Sequence, residues 1–180
     1  MTQPSSGESR FHSIGAGGRM RIFDSAAEPA AFAEASSAHN RADGGGRYAA
    51  LEQLAELLDD QTVCFVGKGQ LAHVALEAAD KASAASMRIV VESPAGLASA
   101  DLGWLGQSSA LQRSDILILT GSAAASDTEA SARLLKSHLP RATLMFVYGA
   151  GQDIAHDRPD LYLRALGDFV RRGSSFVMRS

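Results

Sequence analysis

The residues most capable of chemistry form a glycine-rich turn between a short apolar run and a helical pattern. Residues 67–72 read GKGQLA, which matches Gly-x-Gly-x-x-Ala. In a dinucleotide-binding unit such glycines let the backbone turn tightly and approach a pyrophosphate at the N-terminus of the next helix. Glu92 ends the following apolar run, where an acid commonly accepts hydrogen bonds from ribose hydroxyls. The turn therefore predicts a crevice for a nucleotide-type or other anionic ligand, to which Lys68 would add a positive charge.

Polar and glycine residues also follow the later apolar runs of the chain. If these runs are parallel strands, the residues after them meet at one edge of the sheet, where ligands bind in open α/β folds. Turn chemistry alone would select many of the same residue types. The candidate ligand-binding residues are Gly67, Lys68, Gly69, Gln70, Glu92, Ser93, Thr120, Gly121, Ser122, Tyr148 and Gly149.

Catalytic and metal-binding residues stay unassigned at this point. The five histidines show no His-x-x-x-His or His/Cys spacing of the kind that holds a metal. No serine lies in a nucleophile-elbow pattern. Cys64 lies in the middle of an apolar run, so we expect a buried core residue rather than a nucleophile. Trp104 is expected to anchor the packing of an irregular stretch, residues 94–113.

The elements that would position these residues alternate between strand and helix along residues 48–180. The apolar runs are nearly continuous, as expected for parallel strands covered by helices on both faces. We therefore predict an α/β fold with a Rossmann-like, doubly wound and mainly parallel sheet. The strand at 62–66 should be central, with 87–92 on one side and the two later strands on the other. The predicted elements are helix 48–58, strand 62–66, helix 70–82, strand 87–92, strand 115–120, helix 126–138, strand 142–148, helix 158–172 and strand 175–178.

The residues before this domain predict a tail and a small extension. Residues 1–9 are polar and are expected to be disordered. Residues 10–47 predict a hairpin followed by a helix, because two short runs flank the glycines at 15–18 and an alanine-rich segment follows. This extension would cover a sheet edge or pair with a second copy of the chain, so a homodimer is kept open.

Composition excludes several classes of protein. With 180 residues and 46% apolar composition, the chain is expected to build one substantial core. The net charge is -3 and the basic residues are dispersed, which argues against nucleic acid as a partner. The apolar runs are well short of the ~20 residues that span a bilayer. The first residues lack the pattern of a secretion signal, so we expect a cytoplasmic location and no membrane partner.

The order of motifs resembles the Rossmann-like domain family labelled for heavy-metal chelation. The resemblance covers about residues 60–155, through Val-Gly at a strand end, then VVESP, then RSDILILTGSA with Asp127-Thr128. It implies a Rossmann-like unit connected with a metal or a metal complex. Asp127 stands where the family has asparagine, and the region before residue 60 is short for the family's N-terminal domain. The matching positions are Gly67, Glu92, Pro94, Thr120, Gly121 and Thr128.

Three functions are compatible with these patterns. The first is a Rossmann-like small-ligand-binding protein whose small-molecule ligand is a nucleotide or a metal complex. The second is an NAD-dependent oxidoreductase, since a free carboxylate at Glu92 favours NAD over NADP. The third is an S-adenosylmethionine-dependent methyltransferase, although such enzymes usually have an acid where Phe65 stands here.

Overall fold

A parallel sheet of five strands forms the centre of the computed structural model, which describes residues 19–23, 62–82, 86–97 and 102–175. All neighbouring strands run parallel, which confirms the predicted α/β class. The strands lie in the order β1-β2-β3-β4-β5. Their bounds are Arg19–Phe23 for β1, Thr62–Lys68 for β2, Ser86–Glu92 for β3, Asp115–Gly121 for β4 and Thr143–Val147 for β5.

Helices connect the strands and cover both faces of the sheet. A single 3-10 turn, Gly69–Leu71, joins β2 to the first helix, and a second, Gly173–Ser175, follows the last helix. Within the described residues no helix is both long and apolar enough to cross a bilayer. The helices are α1 (Ala72–Asp80), α2 (Gly103–Gln107), α3 (Ser109–Arg113), α4 (Ser126–His138), α5 (Ile154–Asp157) and α6 (Pro159–Arg172).

The sheet has one apolar core on each face because side chains alternate along a strand. Val66 and Leu119 belong to the core on the α6 side, where they join Phe169 of α6. Phe65 and Ile118, one residue earlier on the same strands, belong to the core on the α1 side. Burial on both faces explains why the strand sequences are almost continuously apolar.

The strand order differs from the prediction. We expected β2 to separate β3 from β4 and β5, but β3 lies between β2 and β4, and β5 follows β4. The other neighbour of β2 is β1, which comes from the region assigned to the N-terminal extension. Each crossover therefore carries the chain to the next position in the same direction. A glycine turn sets the sharpness of a strand-to-helix connection, and it carries no information about which edge the next strand joins.

Most element bounds agree with the sequence patterns within one or two residues. Helix 126–138 is confirmed, and the irregular stretch contains the short helices α2 and α3. Residues 126–129 match the Ser-x-x-Glu capping box, which predicts Ser126 as the N-cap, but the N-cap is Ala125 and no side chain caps the helix. Several predictions lie outside the described residues: the tail 1–9, the first hairpin strand, the helices at 27–39 and 48–58, and all but the first residue of strand 175–178.

Candidate functional site

In the turn after β2, the chain passes from strand to helical turn at a single residue, Gly69. Gly69 has a φ of 59°, in the left-handed region that L side chains rarely adopt. The 3-10 turn begins at the same residue, and α1 follows from Ala72. A Cβ atom added to Gly69 would have no neighbour within 4 Å. Gly69 is therefore the tip of a sharp turn and is adjacent to open space.

Gly67 has a different role in the same turn. A Cβ atom at Gly67 would lie 2.6 Å from the Cβ of Ala75 and 2.9 Å from the carbonyl oxygen of Leu71. The missing side chain thus lets α1 pack directly against the end of β2. The glycines were predicted to let the backbone approach a pyrophosphate, but the close neighbour of Gly67 is a helix. Gly69, in contrast, provides the backbone conformation of the tip.

Three neighbouring strand ends form a row beginning at this tip. The register pairs Lys68 with Glu92 and Glu92 with Leu119. The residues that follow these on β2, β3 and β4 are Gly69, Ser93 and Thr120. Ser93 has a φ of 44°, and its N–H donates to the carbonyl of Leu119 at 2.8 Å. The side chains of Ser93 and Thr120 are buried, and neither hydroxyl has a hydrogen-bond partner among the described residues. Such groups are costly unless something satisfies them.

A buried carboxylate connects the turn to α6. Glu92 is 0% exposed. The Tyr162 hydroxyl donates to Glu92 Oε2 at 3.0 Å, and Lys68 Nζ lies 3.8 Å from Oε1. A buried charge needs partners of this kind. The carboxylate predicted to accept hydrogen bonds from a ribose is thus engaged on the α6 side of the sheet.

The segment after β5, residues 148–153, crosses the end of β4 and returns to the turn. We call this segment the return loop. Its far end reaches β2, since Asp153 Oδ1 lies 3.1 Å from Lys68 Nζ. Asp153 also accepts a hydrogen bond from the N–H of His156 at 3.3 Å and so caps α5. The ion pair brings together two segments that are far apart in the sequence.

Hydrogen bonds hold the first half of the return loop. The N–H of Gly149 donates to Ser122 Oγ at 3.0 Å, and the N–H of Ala123 donates to the carbonyl of Ala150 at 2.9 Å. Arg158 donates to the carbonyl of Tyr148 at 2.8 Å. A Cβ atom at Gly121 would overlap the carbonyl oxygens of the loop. The loop is thus packed directly on the end of β4.

The predicted site residues divide into two groups. Around the turn lie Gly67, Lys68, Gly69, Gln70, Glu92, Ser93 and Thr120, whereas Gly121, Ser122, Tyr148 and Gly149 belong to the return loop and its support. The Lys68–Asp153 ion pair joins the groups. Sequence reasoning missed Asp153 and Tyr162 as members. Asp153 follows a glycine-rich segment, which is only a weak signal of a site. Tyr162 has the helical spacing of a core residue, so the sequence gives no sign that its hydroxyl has a partner.

The remaining reactive residues lie in the cores or beside the turn. Cys64 is a fully buried core residue, as predicted, and this burial raises the pKa of its thiol to about 12. The His73 ring hydrogen-bonds the carbonyl of Gln70. Trp104 packs against the core on the α1 side. In the part of the chain that the structure describes, no three His, Cys, Asp or Glu side chains are grouped to hold a metal.

Comparison with known proteins finds similarity among solved structures. No family model and no curated protein matches the sequence. A crystal structure described as a predicted CIB-like hydrolase from Thermoplasma acidophilum aligns with a TM-score of 0.52 at 19% identity, over 62% of this chain and 51% of its own. Esterase PE8 aligns with a TM-score of 0.43 at 20% identity, over 79% of this chain and 66% of its own. The chain thus spans about half the length of the first structure.

These findings correct the family and the function expected from sequence. The fold is shared with a protein described as a hydrolase, and no model of the heavy-metal chelation family matches. The resemblance to that family is wrong. The Rossmann-like ligand-binding protein, the NAD-dependent oxidoreductase and the methyltransferase are wrong with it, as are nucleotide binding and metal chelation. The physical reason is that any parallel strand leading sharply into a helix favours glycines, whatever the turn binds.

Proposed function

We propose that this chain is a hydrolase-fold domain that binds a carbonyl compound without cleaving it. In α/β hydrolases the nucleophilic serine lies at the tip of a sharp strand-to-helix turn, the nucleophile elbow. Gly69 has this position, with a φ of 59° and open space beside it. A glycine has no hydroxyl that could attack a carbonyl carbon. This single observation, an elbow without its nucleophile, carries the proposal.

The other two positions of a catalytic triad support the same proposal. In this fold the acid and the histidine follow the nucleophile in chain order. The turn after β4, residues 122–125, reads SAAA, and the return loop reads YGAGQD. The turn therefore has no carboxylate, and the loop has no histidine. A serine at the tip would therefore have no histidine from this loop to remove its proton.

The turn keeps the features that bind a carbonyl oxygen. In an elbow, the backbone N–H after the nucleophile belongs to the oxyanion hole, and here that residue is Gln70. The start of α1 adds a partial positive charge. Ser93 and Thr120 bring buried hydroxyls to the neighbouring strand ends. We propose that the backbone at Gly69 and Gln70 contacts the carbonyl of an ester, thioester or amide.

Binding and turnover should be measured together on the purified protein. We expect short-chain esters such as methyl butyrate to raise the melting temperature, because a ligand at 100 times its Kd stabilises by about 2.7 kcal/mol. The ester should be recovered intact by mass spectrometry, and a fluorophosphonate probe should leave the protein unlabelled. Release of butyrate above the rate in buffer would contradict the proposal, as would the absence of stabilisation by every ester in a broad panel.

The partner in this proposal is a small molecule in place of the nucleotide or metal complex expected from sequence. The homodimer and the cytoplasmic location stay predictions. Exclusion of nucleic acid stays a prediction as well. Size-exclusion chromatography with light scattering would test the homodimer directly.

A further inference from the structure

Lys68 directly precedes the tip of the turn and lies between two carboxylates that differ in exposure. Its Nζ atom is 3.8 Å from Glu92 Oε1 and 3.1 Å from Asp153 Oδ1. The side chain of Glu92 is 0% exposed, whereas that of Asp153 is 48% exposed and that of Lys68 is 16% exposed. The two ion pairs are therefore unequal in how easily water or another anion can replace them.

The Glu92 side of this arrangement is fixed. Glu92 also accepts a hydrogen bond from the Tyr162 hydroxyl at 3.0 Å, inside the core on the α6 side. Removing the ammonium from a buried carboxylate is costly, because the carboxylate has no water around it and loses an opposite charge without gaining another partner. Glu92 therefore keeps Lys68 Nζ in place when its other partner changes.

The Asp153 side is exchangeable. A half-exposed ion pair contributes little to stability, because water screens it and both side chains lose freedom on pairing. Asp153 also has a second use for its carboxylate, since Oδ1 accepts from the N–H of His156 at the start of α5. Release from Lys68 would thus leave Asp153 as the cap of α5.

We propose that Lys68 is a carboxylate-binding residue and that a ligand's carboxylate replaces Asp153 on its ammonium. The chemical class of the ligand is then a carbonyl compound with a free carboxylate, or a carboxylic acid itself. The inference rests on the proposed function for the position of the site next to the tip. Exchange at Lys68 also releases the contact between β2 and the return loop, so binding is coupled to the freedom of that loop.

The experiment uses butyrate and methyl butyrate as matched probes, with sodium chloride added to equalise ionic strength. We expect butyrate to raise the melting temperature with dose. Replacement of Lys68 by methionine should weaken butyrate binding by about tenfold, because a charge-assisted hydrogen bond is lost. Methyl butyrate, which has no carboxylate, should bind both proteins equally. The exposed Glu129–Arg133 pair on α4 provides a control, since Glu129→Gln should change neither probe.

A second variant keeps the test valid if Lys68→Met does not fold. Asp153→Asn removes the competing carboxylate, so butyrate should bind about threefold more tightly. The amide can still accept the hydrogen bond that caps α5. Equal or weaker butyrate binding by Asp153→Asn would overturn the inference, as would unchanged butyrate binding by a folded Lys68→Met. Butyrate binding that depends on Lys68, without any binding of methyl butyrate, would overturn the proposed function and support this inference.

Discussion

The turn after β2 and the return loop after β5 both contain glycines, but the two regions need them for different reasons. In the return loop the need is close packing, because a Cβ at Gly121 would overlap the carbonyl oxygens of Ala150 and Gly151. At the tip of the turn a Cβ on Gly69 would have no neighbour within 4 Å. Packing therefore imposes glycine on one region, whereas only backbone conformation favours it in the other. The space at the tip could accommodate a side chain, but the residue there is a glycine.

The same comparison explains how the two regions are held. The return loop is attached to its surroundings by several hydrogen bonds to its own backbone groups, for example from the N–H of Ala123 to the carbonyl of Ala150. The turn is connected to the loop through side chains, by the Lys68–Asp153 ion pair. The backbone bonds belong to the loop's architecture. The ion pair is a local arrangement that a solute can compete for, which is why the proposed site lies there.

The largest effect is expected from crowding the support of the return loop. Gly121→Ala places a methyl group against the carbonyls of Gly151 and Ala150, and the Ala150 carbonyl cannot move without losing its hydrogen bond from Ala123. We expect a loss of about 3 kcal/mol in the free energy of unfolding, measured by urea denaturation. A matched Gly69→Ala variant should lose about 1 kcal/mol, from backbone strain alone. Equal losses would mean that the two glycines do not differ as described.

Removal of the phenol that holds Glu92 should have the next largest effect. Tyr162→Phe removes a hydrogen bond to a buried carboxylate and leaves the packing of α6 unchanged. The expected loss is about 2 kcal/mol in the free energy of unfolding, because hydrogen bonds to charged groups are the stronger ones. Urea denaturation at neutral pH measures it, and Tyr148→Phe, at an exposed loop residue, is the control. A loss below that of the control would show that Glu92 does not depend on Tyr162.

Alkaline pH should destabilise the folded protein through Cys64, a residue of β2. Burial raises the pKa of this thiol from 9.0 to about 12, so the unfolded chain releases a proton at a lower pH than the folded chain. The stabilisation is complete below pH 9 and is lost as the pH rises toward 12. At pH 10 the expected loss in the free energy of unfolding is about 1 kcal/mol relative to neutral pH. Cys64→Ala should lack this component in the same urea titration, and an identical pH dependence of the two proteins would contradict it.

The smallest effect on stability is expected at the tip, where the functional test is also the most direct. Gly69→Ser should cost about 1 kcal/mol or less, since the added side chain meets open space at a positive φ. Ester hydrolysis by this variant should stay at the background rate, because the return loop supplies no histidine. Turnover is measured by release of p-nitrophenol from short-chain p-nitrophenyl esters. A burst of p-nitrophenol would show that a side chain outside the return loop acts as the base for the serine.

Local sequence patterns were sufficient to predict the helices and strands, but not to predict the order of the strands in the sheet. Apolar runs located β2, β3 and β4 within two residues, because hydrophobicity is a property of neighbouring residues in the chain. The capping box at Ser126 failed, since the helix begins one residue earlier than that motif requires. The order of strands failed because each crossover direction depends on packing between distant segments.

The site shows the same division. Gly67, Gly69 and Glu92 stand out in the sequence because turn residues and strand-end acids are recognisable locally. Their meaning was misjudged, since a glycine turn of this kind suits a nucleotide-binding fold and a hydrolase elbow equally. Tyr162 and Asp153 have no local signal that connects them with the turn. They reach Glu92 and Lys68 only when α6 and the return loop pack onto the sheet.

The sequence by itself determined that this protein has parallel strands and helices, with a glycine turn at the end of β2, because these follow from side-chain periodicity and backbone freedom. Only the tertiary structure decided which residues meet at that turn. Gly69 is a tip with open space, and Lys68 is shared between Glu92 and Asp153. Contacts between residues far apart in the chain depend on the packing of whole elements, and no short segment encodes them.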